Sequence, residues 1–196
     1  MFALTIDQHR SRRGEDLVPG LLGALAAVPT VLPFERTVGD EVQGLLDDPD
    51  AVLAALLVVL RDGHWSVGLG IGPVEAPLPD SVRAARGQAL LDARAAVDRA
   101  KGAGEVRVAV VSASQPEAAA DVEAVVRLIG TLLRRRTDRQ WAVVDAVDAA
   151  PTQRAAAEAL GVSPQNVSQA LAASAIAVER AGYPVLVRLL ERAEAP

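Results

Sequence analysis

The chain has 196 residues, 51% of them hydrophobic and only 3% aromatic, with a formal net charge of −5 and no cysteine. That length and apolar content allow one large domain or a medium domain with a small satellite, built on Ala, Val and Leu. The absence of cysteine excludes disulfides and thiolate metal sites. The acidic balance excludes a protein that coats nucleic acid through bulk charge.

Residues 2–6 read as a short strand ending at Asp7, and a polar loop leads to an apolar helix over about 17–28. Pro29 and Pro33 precede a second strand at 34–38. Gly39-Asp40 is a hairpin-turn pair, and 42–46 is the returning strand. Asp48 can cap a helix with Pro49 in its first turn, running to about Arg61. Residues 65–71 alternate large apolar side chains with Ser66, Gly68 and Gly70, the pattern of a strand crossed closely by other backbone. A proline-rich loop follows, then a helix over about 81–100 and a further strand at 106–111. The composition then changes near 112–116, from mixed α/β to all helix. The expectation is two domains: 1–114, an α/β (α+β) ferredoxin-like palm with an antiparallel sheet, and 115–196, an all-α helix-turn-helix domain.

In the second half, helices are expected over about 118–136 and 138–149. Val122, Val125, Ile129 and Leu132 form an apolar stripe on the first, and Trp141, Val144 and Val147 on the second. Both would complete a small core that a two-helix unit cannot bury by itself. Residues 152–171, TQRAAAEALGVSPQNVSQAL, are the most informative stretch. Thr152 can cap a helix over 153–160, Gly161 can supply the positive φ that ends it, and Ser163 can cap a second helix with Pro164 at its first position. Two such helices crossing steeply, with Ala156, Leu160, Val162, Val167 and Ala170 inward, make a helix-turn-helix. Gln165, Asn166, Ser168 and Gln169 would then face outward, and the amides can pair with adenine edges. Arg154 and the Arg134-Arg135-Arg136 run are candidate phosphate contacts. From Glu117 onward there are nine Arg against ten Asp plus Glu, so DNA binding would depend on local arginine placement. The same stretch could also be a helical hairpin or a module for protein contacts. Gly182 and Pro184 are expected to break the chain before a last helix over about 185–193. Leu186, Leu189 and Leu190 there suit either dimerisation or core packing.

In the first half, Asp7 and Asp40 would stand together at one sheet edge if their strands are neighbours. Paired carboxylates there could hold Mg²⁺ and, through it, a nucleotide; both positions are also ordinary places for aspartate at a strand end and a turn. The GLGIG stretch lacks a phosphate loop's final glycine and following helix. His9 and His64 have no partner at metal-ligand spacing. No apolar run reaches the roughly 20 residues of a membrane span, and the N-terminus turns polar too early for a signal peptide, so a cytoplasmic protein is expected.

TVGDEVQGLL (37–46), SVGLGIG (66–72), GQALLDARAAVDRAKG (87–102) and the terminal helix-turn-helix together resemble the SatD family across nearly the whole chain. The GDE-Q-GLL element is the most specific part. That resemblance implies a regulatory, DNA-binding protein. The first half is also similar to the ferredoxin-like palm of class III nucleotide cyclases and GGDEF-type cyclases, in which acidic residues at the positions of Asp7 and Asp40 bind metal. Counting from Gly87, the asparagine position of the former holds Leu91 and the arginine position Ala95, with Arg94 one residue off. The second glycine of the latter is replaced by Val38. The palm resemblance therefore implies nucleotide binding or a dimer scaffold rather than cyclisation. The functional expectation is a DNA-binding transcriptional regulator acting on double-stranded DNA as a homodimer, its palm dimerising and sensing a ligand such as a nucleotide. The alternative is a Mg-dependent, cyclase-like nucleotide enzyme with a helical accessory domain.

Overall fold

The computed structural model describes residues 1–9 and 14–195. The elements run β1 (Phe2–Gln8), α1 (Val18–Leu25), β2 (Leu32–Arg36), β3 (Glu41–Leu46), α2 (Pro49–Asp62), β4 (Trp65–Ile71), a 3-10 turn (Val82–Ala84), α3 (Gln88–Lys101) and β5 (Val108–Val111). They continue as α4 (Pro116–Arg135), α5 (Asp138–Ala149), α6 (Gln153–Leu160), α7 (Pro164–Ala173) and α8 (Ile176–Glu194). The fold is α+β, with a five-stranded sheet in the order β2-β3-β1-β4-β5 and a helical C-terminal region.

The first four strands give the expected ferredoxin-like arrangement: β1 pairs antiparallel with both β3 and β4, and β3 with β2. The sheet is nevertheless mixed rather than antiparallel throughout, because β5 returns through α3 and joins β4 in parallel. Side chains alternate across β1, and the two faces have different covers. Phe2, Leu4 and Ile6 enter the larger core with residues of α1, α2, α4 and α8, whereas Ala3 packs with Leu45 and with Ala89 and Ala93 of α3.

The α3 layer is close because β4 presents glycine to it. A Cβ on Gly68 would lie 2.2 Å from the Val97 nitrogen, and one on Gly70 would lie 2.0 Å from the Ala89 carbonyl oxygen. The alternation in 65–71 thus marks a strand crossed by a helix backbone, as its sequence suggests. The expected single helix over 81–100 is divided. A 3-10 turn capped by Ser81 gives way to extended Ala85, and α3 starts only after Gly87, whose φ is 143°. A side chain at Gly87 would run into the Pro73–Glu75 backbone, so the loop and the helix start are fixed together.

Two expectations for the second half are corrected. The apolar stripe of α4 faces the sheet rather than the helix-turn-helix, with Val126 and Leu133 taking the buried places beside Val122 and Ile129. The last helix starts at Ile176 and runs unbroken through Gly182 and Pro184 to Glu194. A proline in a helix interior costs about 3 kcal/mol. The burial of Leu186, Leu190 and Ala193 in the main core offsets it. Those leucines serve the chain's own core and are not a dimer seam. Packing across the 114/115 division is therefore continuous through α4 and α8, while α5, α6 and α7 share a small core of their own.

Candidate nucleic-acid interface

The helix-turn-helix forms where the local sequence requires it. The Thr152 hydroxyl accepts from the Ala155 amide at 3.1 Å and opens α6. Gly161, with φ 65°, closes α6, its N–H donating to the Ala157 and Glu158 carbonyls. The Ser163 hydroxyl accepts from the Asn166 amide at 3.2 Å, and Pro164 occupies the first turn of α7. Val143 of α5, Ala157 of α6 and Val167 of α7 close the core between the three helices, with Val147, Leu160, Val162, Ala170 and Leu171 around them.

The outward side of α7 is exposed. Gln165, Asn166, Ser168 and Gln169 are all exposed, as is Thr152 at the head of α6. Ser168 reaches Gln153 of α6 across a 3.4 Å hydrogen bond, tying the two helices at their surface. No residue of α7 carries a charge. The nearest basic group on α6, Arg154, is 83% exposed and lies 3.4 Å from Glu158, an exposed i,i+4 pair that a phosphate could displace. The arrangement can therefore present uncharged amides and a helix N-terminus to a groove.

Of the three upstream arginines, Arg134 and Arg135 are exposed and Arg136 is not. Arg136 is withdrawn from any phosphate role: its side chain is 1% exposed and forms an ion pair with the equally buried Glu179 of α8. Its Nε donates to the Ser174 carbonyl at 2.9 Å, and its guanidinium lies 4.7 Å from the centre of the Trp141 ring. Arg136 follows the last residue of α4, so a helix packed on the sheet holds the junction between α7 and α8. Sequence reading treats the three arginines as equivalent because all sit at a helix C-terminus. The partner that distinguishes Arg136, Glu179, is 43 residues away.

Two further ion pairs hold the helical unit. Arg61 of α2 makes a bidentate contact to Asp145 of α5 at 2.8 and 2.6 Å, and Arg180 of α8 binds Asp148 at 2.7 and 2.6 Å. The hydrogen bond from Arg61 holds the Asp145 carboxyl below its usual range. Burial, reinforced by the hydrogen bond to Glu179, pushes the Tyr183 phenol well above its usual value.

The two aspartates of the first half have different surroundings. Asp7 stands opposite Glu41 in the β1–β3 register and is bound by Lys101, the only lysine of the chain, at 2.8 Å. Burial opposes the charge of Lys101, and Asp7 and Asp98 together outweigh that and raise its pKa. Glu41 pairs with Arg94 of α3 and accepts from the Thr37 hydroxyl. Asp40 lies in the β2–β3 turn beside a shallow groove that also contains Gln8, Asp16 and Arg36. Among the described residues, no three His, Cys, Asp or Glu side chains converge as a metal-binding group.

No family model, no curated protein and no solved structure matches the chain. Among the described residues no single helix is long and apolar enough to cross a membrane. Helices α7 and α8 reach that length and composition only as a pair, bent by 49°.

Proposed function

We propose that the protein is a DNA-binding transcriptional regulator of the cytoplasm, reading the major groove of double-stranded DNA with α7, in keeping with its resemblance to the SatD family. The observation that carries this reading is the exposed row Gln165, Asn166, Ser168 and Gln169, on a helix fixed by two hydroxyl caps and the left-handed Gly161. A helical hairpin needs none of this row, whereas base recognition needs side chains that hydrogen-bond base edges, as Gln and Asn can with adenine. Arg154, Arg134 and Arg135 are exposed, and in this reading they supply phosphate contacts. One helix in one groove binds weakly, so the protein acts as a homodimer on two half-sites about one helical turn apart. The palm supplies the body on which α4 and α8 rest. The nucleotide-enzyme alternative draws no support from Asp7, whose carboxylate is held by Lys101.

Sequencing the genomic fragments that the purified protein retains is the direct test, followed by gel shift on the fragments recovered. Enrichment of a shared site is expected. Replacing Gln165 and Gln169 by Ala should then weaken binding to that site by about 1–3 kcal/mol for each lost bidentate pair, with little change on unrelated DNA. Retention of no fragment, even at low salt, would overturn the reading.

A further inference from the structure

Helices α4 and α8 lie side by side and antiparallel. Arg136, just past α4, pairs with Glu179 near the start of α8, and Asp121 of α4 faces Arg192 towards the other end. Ile129 and Gly182 stand level between them. That order sets Leu128 level with Val185, and Val178 near the last turn of α4.

The outer side of this pair is apolar although no element of the chain covers it. Six large apolar side chains are exposed among the described residues, and three of them stand here: Leu128 at 67%, Val178 at 68% and Val185 at 40%. Val178 and Val185 are seven residues apart, about two turns, and so share one side of α8. Half-buried Val125 and Leu132, three and four residues from Leu128, extend the strip along α4. Single exposed apolar residues are ordinary, whereas a cluster of them marks a surface that meets another molecule.

The charges at the two ends of the strip select that molecule. Asp121 and Arg135 lie seven residues to either side of Leu128, on the same side of α4 and each about 10 Å away. Both are exposed. Arg135 has no ion-pair partner among the described residues, and Asp121 has only Arg192, 3.9 Å away. A uniformly acidic or basic partner would suit one end and be repelled by the other. A second copy of the chain, turned antiparallel about a two-fold axis beside Leu128, suits both: Asp121 of each copy meets Arg135 of the other.

We propose that the α4–α8 face is a homodimer interface, with Leu128 and Val185 of both copies at the axis and two Asp121–Arg135 pairs flanking them. A two-fold interface must complement itself, and this face does so in both its apolar centre and its charged ends. With 20 residues in α4, the face is about 30 Å long and two helix widths, about 20 Å, across. Two copies therefore cover roughly 1,200 Å², the low end of specific interfaces, so a dimer of micromolar strength is expected. The helical unit joins this pair at the Arg136 end, leaving through Arg136 and returning through Ala175, whose φ of 55° is one that non-glycine residues rarely adopt. The two-fold thus carries the two helical units to opposite ends of the dimer, as two half-sites require, a consequence that rests on the DNA reading above. In the dimer Arg135 serves the interface, and phosphate contact falls to Arg134 and Arg154.

Sedimentation equilibrium of the full chain across the micromolar range tests the interface. A monomer–dimer equilibrium is expected. Leu128→Glu should weaken it about a hundredfold or more, because the axis brings both new carboxylates together. Arg135→Glu should weaken it about tenfold or more, and Asp121→Arg added to it should recover most of that loss. All three positions are exposed, so the circular dichroism spectrum should be retained. A wild-type chain that stays monomeric, a dimer indifferent to Leu128→Glu, or a double exchange that recovers nothing would each overturn the proposal. The measurements contain no DNA, so their failure and the failure of fragment retention are separate results.

Discussion

Helix α3 meets the sheet through backbone, whereas α6 and α7 meet through side chains. At Gly68 and Gly70 there is no room for even one carbon between strand and helix, yet a Cβ on Gly161 would have nothing within 4 Å. The first contact belongs to a body whose largest buried cluster extends through eight helices and strands. The second closes over three buried side chains, Val143, Ala157 and Val167. Both use small residues, for different reasons: distance in the sheet, backbone conformation in the turn. A helical unit with so little core of its own depends on what ties it to the body, here the Arg136–Glu179 pair and the surface pairs of Arg61 and Arg180. It should be the part that opens first.

The comparison is broken most directly at Gly70. Gly70→Ala places a methyl 2.0 Å from the Ala89 carbonyl, and should destabilise the chain by more than about 4 kcal/mol or prevent soluble expression, read by urea unfolding. A loss no larger than that of an exposed glycine would mean that α3 is not seated as closely as described. Next in size is Glu179→Ala, which leaves the Arg136 charge buried and alone. A loss of about 3–5 kcal/mol is expected, and Arg136→Met added to it should recover part of that loss. Gly161→Ala meets no steric obstacle and pays only for a left-handed φ. It should cost about 1–2 kcal/mol, and hydrogen exchange should place that loss in α6 and α7 with β1 and β4 unaffected.

The smallest effect concerns the exposed tie. Asp145 has its pKa lowered by Arg61, so its contribution is complete above the unfolded value of about 3.9 and fades as pH falls through the folded one. Asp145→Asn should therefore lose less than about 1 kcal/mol at pH 7, since both side chains are about half exposed. Added salt should shrink the difference, and it should vanish in acid below the folded pKa. A difference that persisted there would assign the role of Asp145 to something other than charge.

Much of this organisation is written in local sequence. Thr152, Gly161, Ser163 and Pro164 each act within four residues, and the helix-turn-helix forms at the positions they mark. The Ser/Gly alternation in β4 is likewise local, and it identifies a close crossing without naming α3 as the helix that crosses. What sequence does not show are choices made by distant partners. Pro184 signals a break, but burial of Leu186 and Leu190 against α2 and α4 keeps α8 whole. Arg136 resembles its two neighbours until Glu179 is placed beside it. The ion-pair partner of Asp7, Lys101, lies 94 positions later.

The unbroken course of α8 gives the molecule a lever. A helix of its 19 residues is about 28 Å long. Its far half is clamped by Leu186, Leu190 and Ala193, while its near end carries the strained residue just beyond α7. Pivoting by about 5° at the clamp would swing that near end, and the end of α7 with it, by roughly 1–2 Å.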